Sequence, residues 1–268
     1  MTLLWRGNVA LTAGVGVFCG KVGDNVPHAH SAHQISLSRS GTPLTVLVGE
    51  KQLICDAVYI ASAIPHSIVG DDVLSLYIDP ASVISERLSK VHRLSDIMPL
   101  PCELTLHLTS LFSVDMQTGD SLERFVKAYG ASLKKWRNAR LERVLVILYQ
   151  DQNRQSATPV ADIAAQLSLS ESRFSHWFKA QTGLPFKHYR QWLRLLRGIE
   201  SLLHNHVISE SAHNAQFSDQ AHFSRVLKNT FGITPGELTR GIQGTPDSGS
   251  SYVQDQVLLP EDNMSALT

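Results

Sequence analysis

The sequence predicts an α+β protein of two domains. An antiparallel β-barrel or sandwich comes first, and an all-α domain with two helix-turn-helix units joined by a long helix follows. Three observations lead there. Residues 9–79 hold short apolar runs separated by Gly, Pro, Asp and Asn. From Ser82 the apolar residues recur at helical spacing. And one stretch occurs twice: Arg173-Phe174-Ser175-His176-Trp177-Phe178-Lys179 running to Gly183, then His222-Phe223-Ser224-Arg225-Val226-Leu227-Lys228 running to Gly232.

The β region takes its strands from Ala10–Cys19, Ile35–Leu37, Leu44–Val48, Gln52–Ile54, Val58–Ile60 and Val73–Ile78, spaced as in a small barrel or sandwich. This segment, 1–81, is read as the first domain. Segment 82–137 is read as helical. There Leu122, Phe125, Val126, Tyr129, Leu133 and Trp136 share one face, which serves either packing on the β domain or a dimer seam. Arg140–Tyr149 starts another helix. Residues 138–241 form the second domain, and 242–268, rich in Gly, Ser, Asp and Pro, read as a disordered acidic tail.

Length and composition set the frame. A chain of 268 residues supports two cores. No apolar run approaches the roughly 20 residues of a membrane span, and the N-terminus lacks a signal pattern, so a cytoplasmic protein is expected. Cys19, Cys55 and Cys102 have no metal-like spacing and read as small buried apolar residues in a reducing compartment. The formal net charge of zero hides an asymmetry. Residues 138–241 carry 12 basic and 8 acidic groups, so +4, and the tail carries 4 acidic groups and no base, so −4. A modestly basic module suits phosphate contact.

In the first repeat, Val160, Ile163, Ala164 and Leu167 make a compact helix, Ser168-Leu169 the turn, and Ser170 the N-cap of a second helix. Phe174, Trp177 and Phe178 share its inner face. Ser172, Ser175, His176 and Lys179 share the opposite face, with Arg173 on the flank. Small serines permit close approach to a major groove, and His176 can donate to or accept from base edges. Between the repeats, Pro185 to Asn205 is a helix with Tyr189, Trp192, Leu193, Leu196, Ile199 and Leu203 on one face. Lys187, Arg190, Arg194 and Arg197 make a basic stripe roughly opposite. About 20 residues of helix span about 30 Å, close to the ~34 Å between successive major grooves on one side of a duplex. In the second repeat Phe223, Val226, Leu227 and Phe231 point inward. Ala221, His222, Arg225 and Lys228 point outward, with Gln220 at the exposed end. Gly232 and Pro235 end that helix.

Residues 138–241 resemble the DNA-binding domain of the AraC/XylS family of bacterial transcription regulators. The matching residues are Ile163-Ala164, Leu169-Ser170, Phe174-Ser175, Phe178-Lys179, Gly183, Tyr189 and Arg194-Leu195. They continue with Phe217-Ser218-Asp219-Gln220, His222-Phe223-Ser224-Arg225, Lys228, Phe231-Gly232-Ile233-Thr234-Pro235 and Arg240. The resemblance maps base contacts onto Ser172, Ser175 and His176, and onto Gln220, Ala221, His222, Ser224 and Arg225. It implies an activator more often than a repressor, with promoter DNA and RNA polymerase as partners and a homodimer favoured. Two departures stand out. Gln216 occupies a turn position where the family has glycine, and Ser211 one where it has a large apolar residue. They predict a less stable second head that contributes less specificity.

Gly23, His28-Ala29-His30, Gln34 and Gly41 resemble the first cupin motif, and Ile64-Pro65-His66 a degenerate second. The resemblance implies a cupin-like β-barrel that senses a small molecule, with His28, His30, Gln34 and His66 as effector contacts. No cofactor is required. A divalent metal on His28, His30 and His66 is the alternative ligand, and vestigial histidines in plain hydrogen bonds are a third reading. Gln34 is a poorer metal ligand than the Glu common in cupins. His33 alternates away from Gln34 and is expected to face outward. Two other functions stay open: a metal-binding cupin enzyme with an accessory DNA-binding module, and a regulator with a degenerate second head working through protein contacts. The leading reading is non-enzymatic.

Overall fold

The computed structural model describes residues 6–12, 14–22, 26–113, 116–130, 138–152, 157–204 and 206–241. The tail 242–268, Leu133, Trp136, Gly23 and Asn205 lie outside the described residues. An N-terminal antiparallel β domain is followed by a C-terminal helical domain.

The strands are β1 (Arg6–Thr12), β2 (Val15–Lys21), β3 (His33–Ser38), β4 (Leu44–Val48), β5 (Lys51–Cys55), β6 (Ala57–Ile60), β7 (Ser67–Val69) and β8 (Val73–Ile78). A ninth, β9 (Ile97–Pro99), follows helix α1 (Val83–His92). It pairs with β6 at the edge of the larger sheet, so the β region extends past Ser82, where the sequence reads as helix. Three residues with one proline give no period to detect. Two sheets result, a six-stranded one in the order β1-β2-β8-β3-β6-β9 and a three-stranded one in the order β5-β4-β7.

Alternation along the strands separates two cores. Ile35 and Leu37 of β3 and Leu74, Leu76 and Ile78 of β8 face the helices α1, α2 (Cys102–Leu111) and α3 (Thr118–Gly130). Val58 and Ile60 of β6, Phe18 of β2 and Leu44 and Val46 of β4 pack between the sheets. In α3, Leu122, Phe125, Val126 and Tyr129 are buried against that first core. The helix contacts β1, β2, α1 and α2, so its apolar face is occupied within the chain.

The helical domain comprises α4 (Ala139–Gln152), α5 (Val160–Gln166), α6 (Glu171–Thr182), α7 (Phe186–Leu203), α8 (Ile208–Asn214), α9 (Gln220–Phe231) and α10 (Pro235–Gly241). At 18 residues, α7 is about 27 Å long. It buries Tyr189, Trp192, Leu193, Leu196 and Ile199. Gly198 lets the second head approach: a Cβ there would sit 2.5 Å from Phe223 Cε2. The core of this domain also takes in Ala32 and Ala81 of the β domain, so the two domains are packed together.

Cysteine burial follows the expectation only for Cys19; Cys55 is half-buried and Cys102 exposed at the start of α2.

Candidate nucleic-acid interface and buried histidine cluster

The two helix-turn-helix units repeat the same capping pattern. Ser170 Oγ accepts from Arg173 N at the start of α6, and Asp219 Oδ1 accepts from His222 N at 2.7 Å at the start of α9. The His222 N–H, and after it the Ser218 hydroxyl, hold the Asp219 carboxyl below its ordinary range. Each helix ends on a left-handed glycine, Gly183 or Gly232, whose N–H donates at 2.8 Å to Lys179 O or Lys228 O. The helices correspond at a spacing of 49, but the helices before them correspond at 48. Leu169 N donates to Ala164 O and Phe217 N to Ala212 O at equivalent points, so the second turn is one residue longer. Both turns carry a left-handed residue, Ser168 at φ 56° and Gln216 at φ 59°.

At the 48 spacing Ser211 occupies the place of Ile163. Both are fully buried. Ile163 fills its site with hydrocarbon, whereas Ser211 Oγ has no hydrogen-bond partner. The sequence departure at Ser211 is thus a buried unsatisfied hydroxyl under α9. Gln216 in part offsets its strained backbone, because its Nε2 donates to Asp151 O at 2.8 Å.

The outward residues of α6 are all exposed: Ser172, Arg173, Ser175, His176 and Lys179. Phe174 and Phe178 anchor the other face at 0% exposure, with Trp177 half-buried. On α9, Gln220, Ala221, Arg225 and Lys228 are exposed, while His222 and Ser224 are half-buried. Ser175 and Ser224 each donate to the carbonyl four residues back, Glu171 O and Gln220 O. His222 Nδ1 meets Ser218 Oγ at 3.1 Å and its ring stands edge-on to Phe217.

The basic stripe of α7 divides. Lys187 is exposed. Arg190 Nη2 donates to Thr158 O at 2.7 Å, pairs with Asp151 at 3.7 Å and lies over the Phe186 ring. Arg194 Nε donates to Ala215 O at 3.1 Å and lies over Phe217. The guanidinium groups of both are therefore used to fasten the heads to α7.

In the β domain four sequence-selected residues converge. His28, His30, Gln34 and His66 are all buried, on the side of the large sheet that faces β4 and β7. A backbone bridge between His28 and His66 aligns the two flanking segments. His28 Nδ1 donates to Val26 O, His30 Nδ1 to Ala32 O and His66 Nδ1 to Ile64 O, at 3.0, 2.9 and 2.8 Å. Each neutral ring then has a lone pair on Nε2. Burial above all holds His30 down to about 3 and His66 to about 4, and lowers His28, so the doubly protonated forms are absent at neutral pH. Yet His30 Nε2 and His66 Nε2 stand 2.7 and 2.8 Å from Gln34 Oε1. Acceptors this close demand something positive between them. Two arrangements resolve this contact. In one, the amide is turned so that its NH2 donates to both imidazoles and its oxygen faces the Ser36 and Ser75 hydroxyls. In the other, a cation takes the three nitrogens and the amide oxygen while Gln34 Nε2 donates to Ser36 Oγ at 2.8 Å. One ring nitrogen of each histidine lies within 4.8 Å of the others, and backbone carbonyls already fix the ring orientations, as metal-binding histidines require. The residues fit a divalent metal.

His33 points to the opposite face of β3, as alternation requires, but that face is covered. Its Nδ1 accepts from Ser62 N at 3.1 Å and lies 3.0 Å from Tyr59 Oη, and burial lowers it to about 4. The expectation that it faces outward is met only in part: His33 is half-buried, with the loop at Ser62 against its ring.

With this geometry in place, a helix-turn-helix domain family matches residues 163–241. Residues 163–241 are an AraC-type helix-turn-helix domain. The Msm operon regulatory protein of Streptococcus mutans is 37% identical over 90 residues, 33% of this chain and 32% of that protein. The arabinose operon regulatory protein of Escherichia coli K12 is 33% identical over 85 residues, 31% of this chain and 29% of that protein. The chain matches about a third of the length of these curated relatives. Apo ToxT of Vibrio cholerae has the same overall fold across both domains, with TM-score 0.59 at 14% identity, covering 89% of this chain and 100% of that one. ToxT has also been solved with an unsaturated fatty acid bound, TM-score 0.54 at 14% identity, covering 91% and 95%. No described helix is long and apolar enough to cross a membrane.

Sequence reasoning did not reach Asp79, Tyr77, Ser36 or Ser75, which support the space around the cluster and the domain contact. The polar residues had one signal, small hydroxyls alternating with Leu on strands buried on both faces. The contact between domains has none, because it pairs residues about 110 positions apart.

Proposed function

We propose that this chain is a sequence-specific DNA-binding transcription regulator, an activator, whose AraC-type domain reads two successive major grooves. The paired exposure of α6 and α9 carries the reading: each is capped at both ends, rooted by buried aromatic or aliphatic residues, and bare on the face that bears Ser172, Ser175 and His176, or Gln220, Ala221 and Arg225. Arg173, Lys179 and Lys228 supply phosphate contacts at the margins. His222 and Ser224 reach the groove from half-buried positions. Lys187 faces the backbone between the heads, and Arg190 and Arg194 act by holding the heads to α7. Promoter DNA, RNA polymerase and a second copy of the chain are the partners.

Control comes from a small effector in a cupin-like N-terminal domain. The fatty-acid-bound ToxT supports ligand control in this two-domain arrangement. His28, His30, Gln34 and His66 are the contacts within the β domain, and four convergent lone pairs favour a divalent cation there over an organic molecule. Such an ion would cross-link β3 to the two loops that carry the histidines. The reading is tested by fluorescence anisotropy of the full chain on promoter fragments, including the one beside its own gene. Specific binding above competitor DNA is expected, with His176→Ala removing the specific component. Equal affinity for all duplexes refutes it.

A further inference from the structure

The residue that lengthens the second turn is Ser218, and its side chain bridges the cap of α9 and the first turn of that helix. Ser218 Oγ lies 3.0 Å from Asp219 Oδ2 and 3.1 Å from His222 Nδ1. Asp219 Oδ1 accepts the His222 N–H at 2.7 Å. An ionised carboxylate only accepts, so the single hydroxyl proton of Ser218 goes to Asp219. Ser218 Oγ then turns only lone pairs towards His222, and that contact is a hydrogen bond when the imidazole proton sits on Nδ1. Phe217 fixes the ring further, standing edge-on to it at 5.2 Å. In a neutral imidazole the other nitrogen is then a bare acceptor. Among the described residues His222 Nε2 has no hydrogen-bond partner, and it is open to solvent.

We propose that Ser218 is a positioning residue that holds His222 in its Nδ1–H form, so that Nε2 accepts a hydrogen bond from the exocyclic amine of an adenine or a cytosine in the major groove. This rests on the reading of α9 as a recognition helix. His222 lies in the first turn of that helix, the part that meets base edges. In the major groove only the amines of adenine and cytosine donate; guanine N7 and O6 and thymine O4 accept. An acceptor on the protein therefore selects the amines and sets lone pair against lone pair elsewhere. At the same helical position the first head carries Arg173, which can only donate. The cap hydroxyl there, Ser170 Oγ, takes the Arg173 N–H, and the shorter turn has no counterpart of Ser218. The two heads thus present opposite chemistry at this point of the helix.

Two measurements test it. The first needs no DNA: imidazole nitrogen chemical shifts of the full chain in mildly alkaline buffer, with His222 assigned by the signals lost in His222→Ala. The wild type should show a protonated Nδ1 and a bare Nε2. Ser218→Ala should move His222 towards the Nε2–H form, and Ser218→Thr, which keeps the hydroxyl, should not. The second is anisotropy titration on the preferred site with one exocyclic amine at a time deleted across the second half-site, purine replacing adenine or 2-pyrimidinone replacing cytosine. One deletion should weaken wild-type binding about fivefold and leave His222→Ala indifferent, and the analogue that does so tells adenine from cytosine. Ser218→Ala should lose most of that difference and Ser218→Thr should retain it. A protonated Nε2 in the wild type overturns the proposal. So does specific binding in which no amine deletion separates the wild type from His222→Ala. Absence of specific binding would instead refute the regulator reading and the base preference with it, while the nitrogen shifts would still decide what Ser218 does to His222.

Discussion

Tyr189 Oη, on α7, donates to Asp79 Oδ2 just after β8 across 2.7 Å, and both residues are buried. Asp79 Oδ1 also accepts from Ala81 N at 2.7 Å. This is a polar link between the domains, and it holds a carboxylate where burial, opposed by those two bonds, pushes the acid up to about 6.

The sign of the pH effect follows. An unfolded aspartate titrates near 3.9, so between about pH 4 and 6 the folded chain binds a proton that the unfolded chain does not. The contribution of Asp79 to stability therefore rises as pH falls through 6 and is least favourable above it. Asp79→Asn removes the charge and keeps one oxygen for Ala81 N, while its new NH2 faces Tyr189 Oη, which must turn from donor to acceptor. It should stabilise the chain by on the order of 2 kcal/mol at pH 7.5, with the gain shrinking towards pH 4. Urea unfolding of both proteins across that range measures it. A gain independent of pH would mean that the carboxylate is not the cause.

The histidine cluster titrates the other way. His30 and His66, held to about 3 and about 4 chiefly by burial, protonate near 6.5 once unfolded. The unfolded chain binds more protons below that pH, so stability is lost as pH falls from about 6.5 to 4. Zinc added at pH 7.5 to tag-free protein should raise Tm in the wild type and not in His66→Ala, and the rise should vanish by pH 5 as protons compete. Elemental analysis gives the stoichiometry. An unchanged wild-type Tm would leave the turned Gln34 amide as the arrangement that satisfies these residues.

Ser211 and Gln216 test the weaker second head from within. Ser211→Ala deletes a buried hydroxyl that has no partner and should stabilise the chain by about 1 kcal/mol. Gln216→Gly relieves a left-handed backbone worth roughly 1 kcal/mol but gives up the Nε2 bond to Asp151 O, worth about as much, so it should fall near zero. Chemical denaturation decides both. A large gain from Gln216→Gly would show that the side-chain bond offsets little.

What the sequence made legible was set by range. The repeat, the caps at Ser170 and Asp219, the stops at Gly183 and Gly232 and the inner aromatics all depend on neighbours within a few residues, and the local pattern carries that chemistry. Gln216 was readable as strained because a turn geometry needs only four residues. Arg190 and Arg194 were not readable as clamps, since their partners Thr158, Asp151 and Ala215 come from distant parts of the chain. His33 shows the same limit: its parity on β3 was evident, but the loop that half-buries it was not. The Asp79–Tyr189 link exists only once the two domains meet.

The last prediction sets the heads against each other. His176 projects from a helix rooted by Phe174 and Phe178 beneath a turn helix whose core position is Ile163. Arg225 projects from a helix whose equivalent support is Ser211. A head that rests on a poorer core opens locally more often, and the binding free energy it delivers is reduced by the work of holding it closed. His176→Ala should therefore lower affinity for the preferred site at least tenfold with little change on random duplex. Arg225→Ala should cost less specificity and flatten the salt dependence by about one phosphate-equivalent. Restoring the core with Ser211→Val should increase the penalty of Arg225→Ala, because a better-held head contributes more. Anisotropy titrations at two salt concentrations on matched and scrambled sites read all three. An Arg225→Ala loss as deep as that of His176→Ala in the otherwise wild-type chain would show that the serine-cored head reads DNA as firmly as its partner.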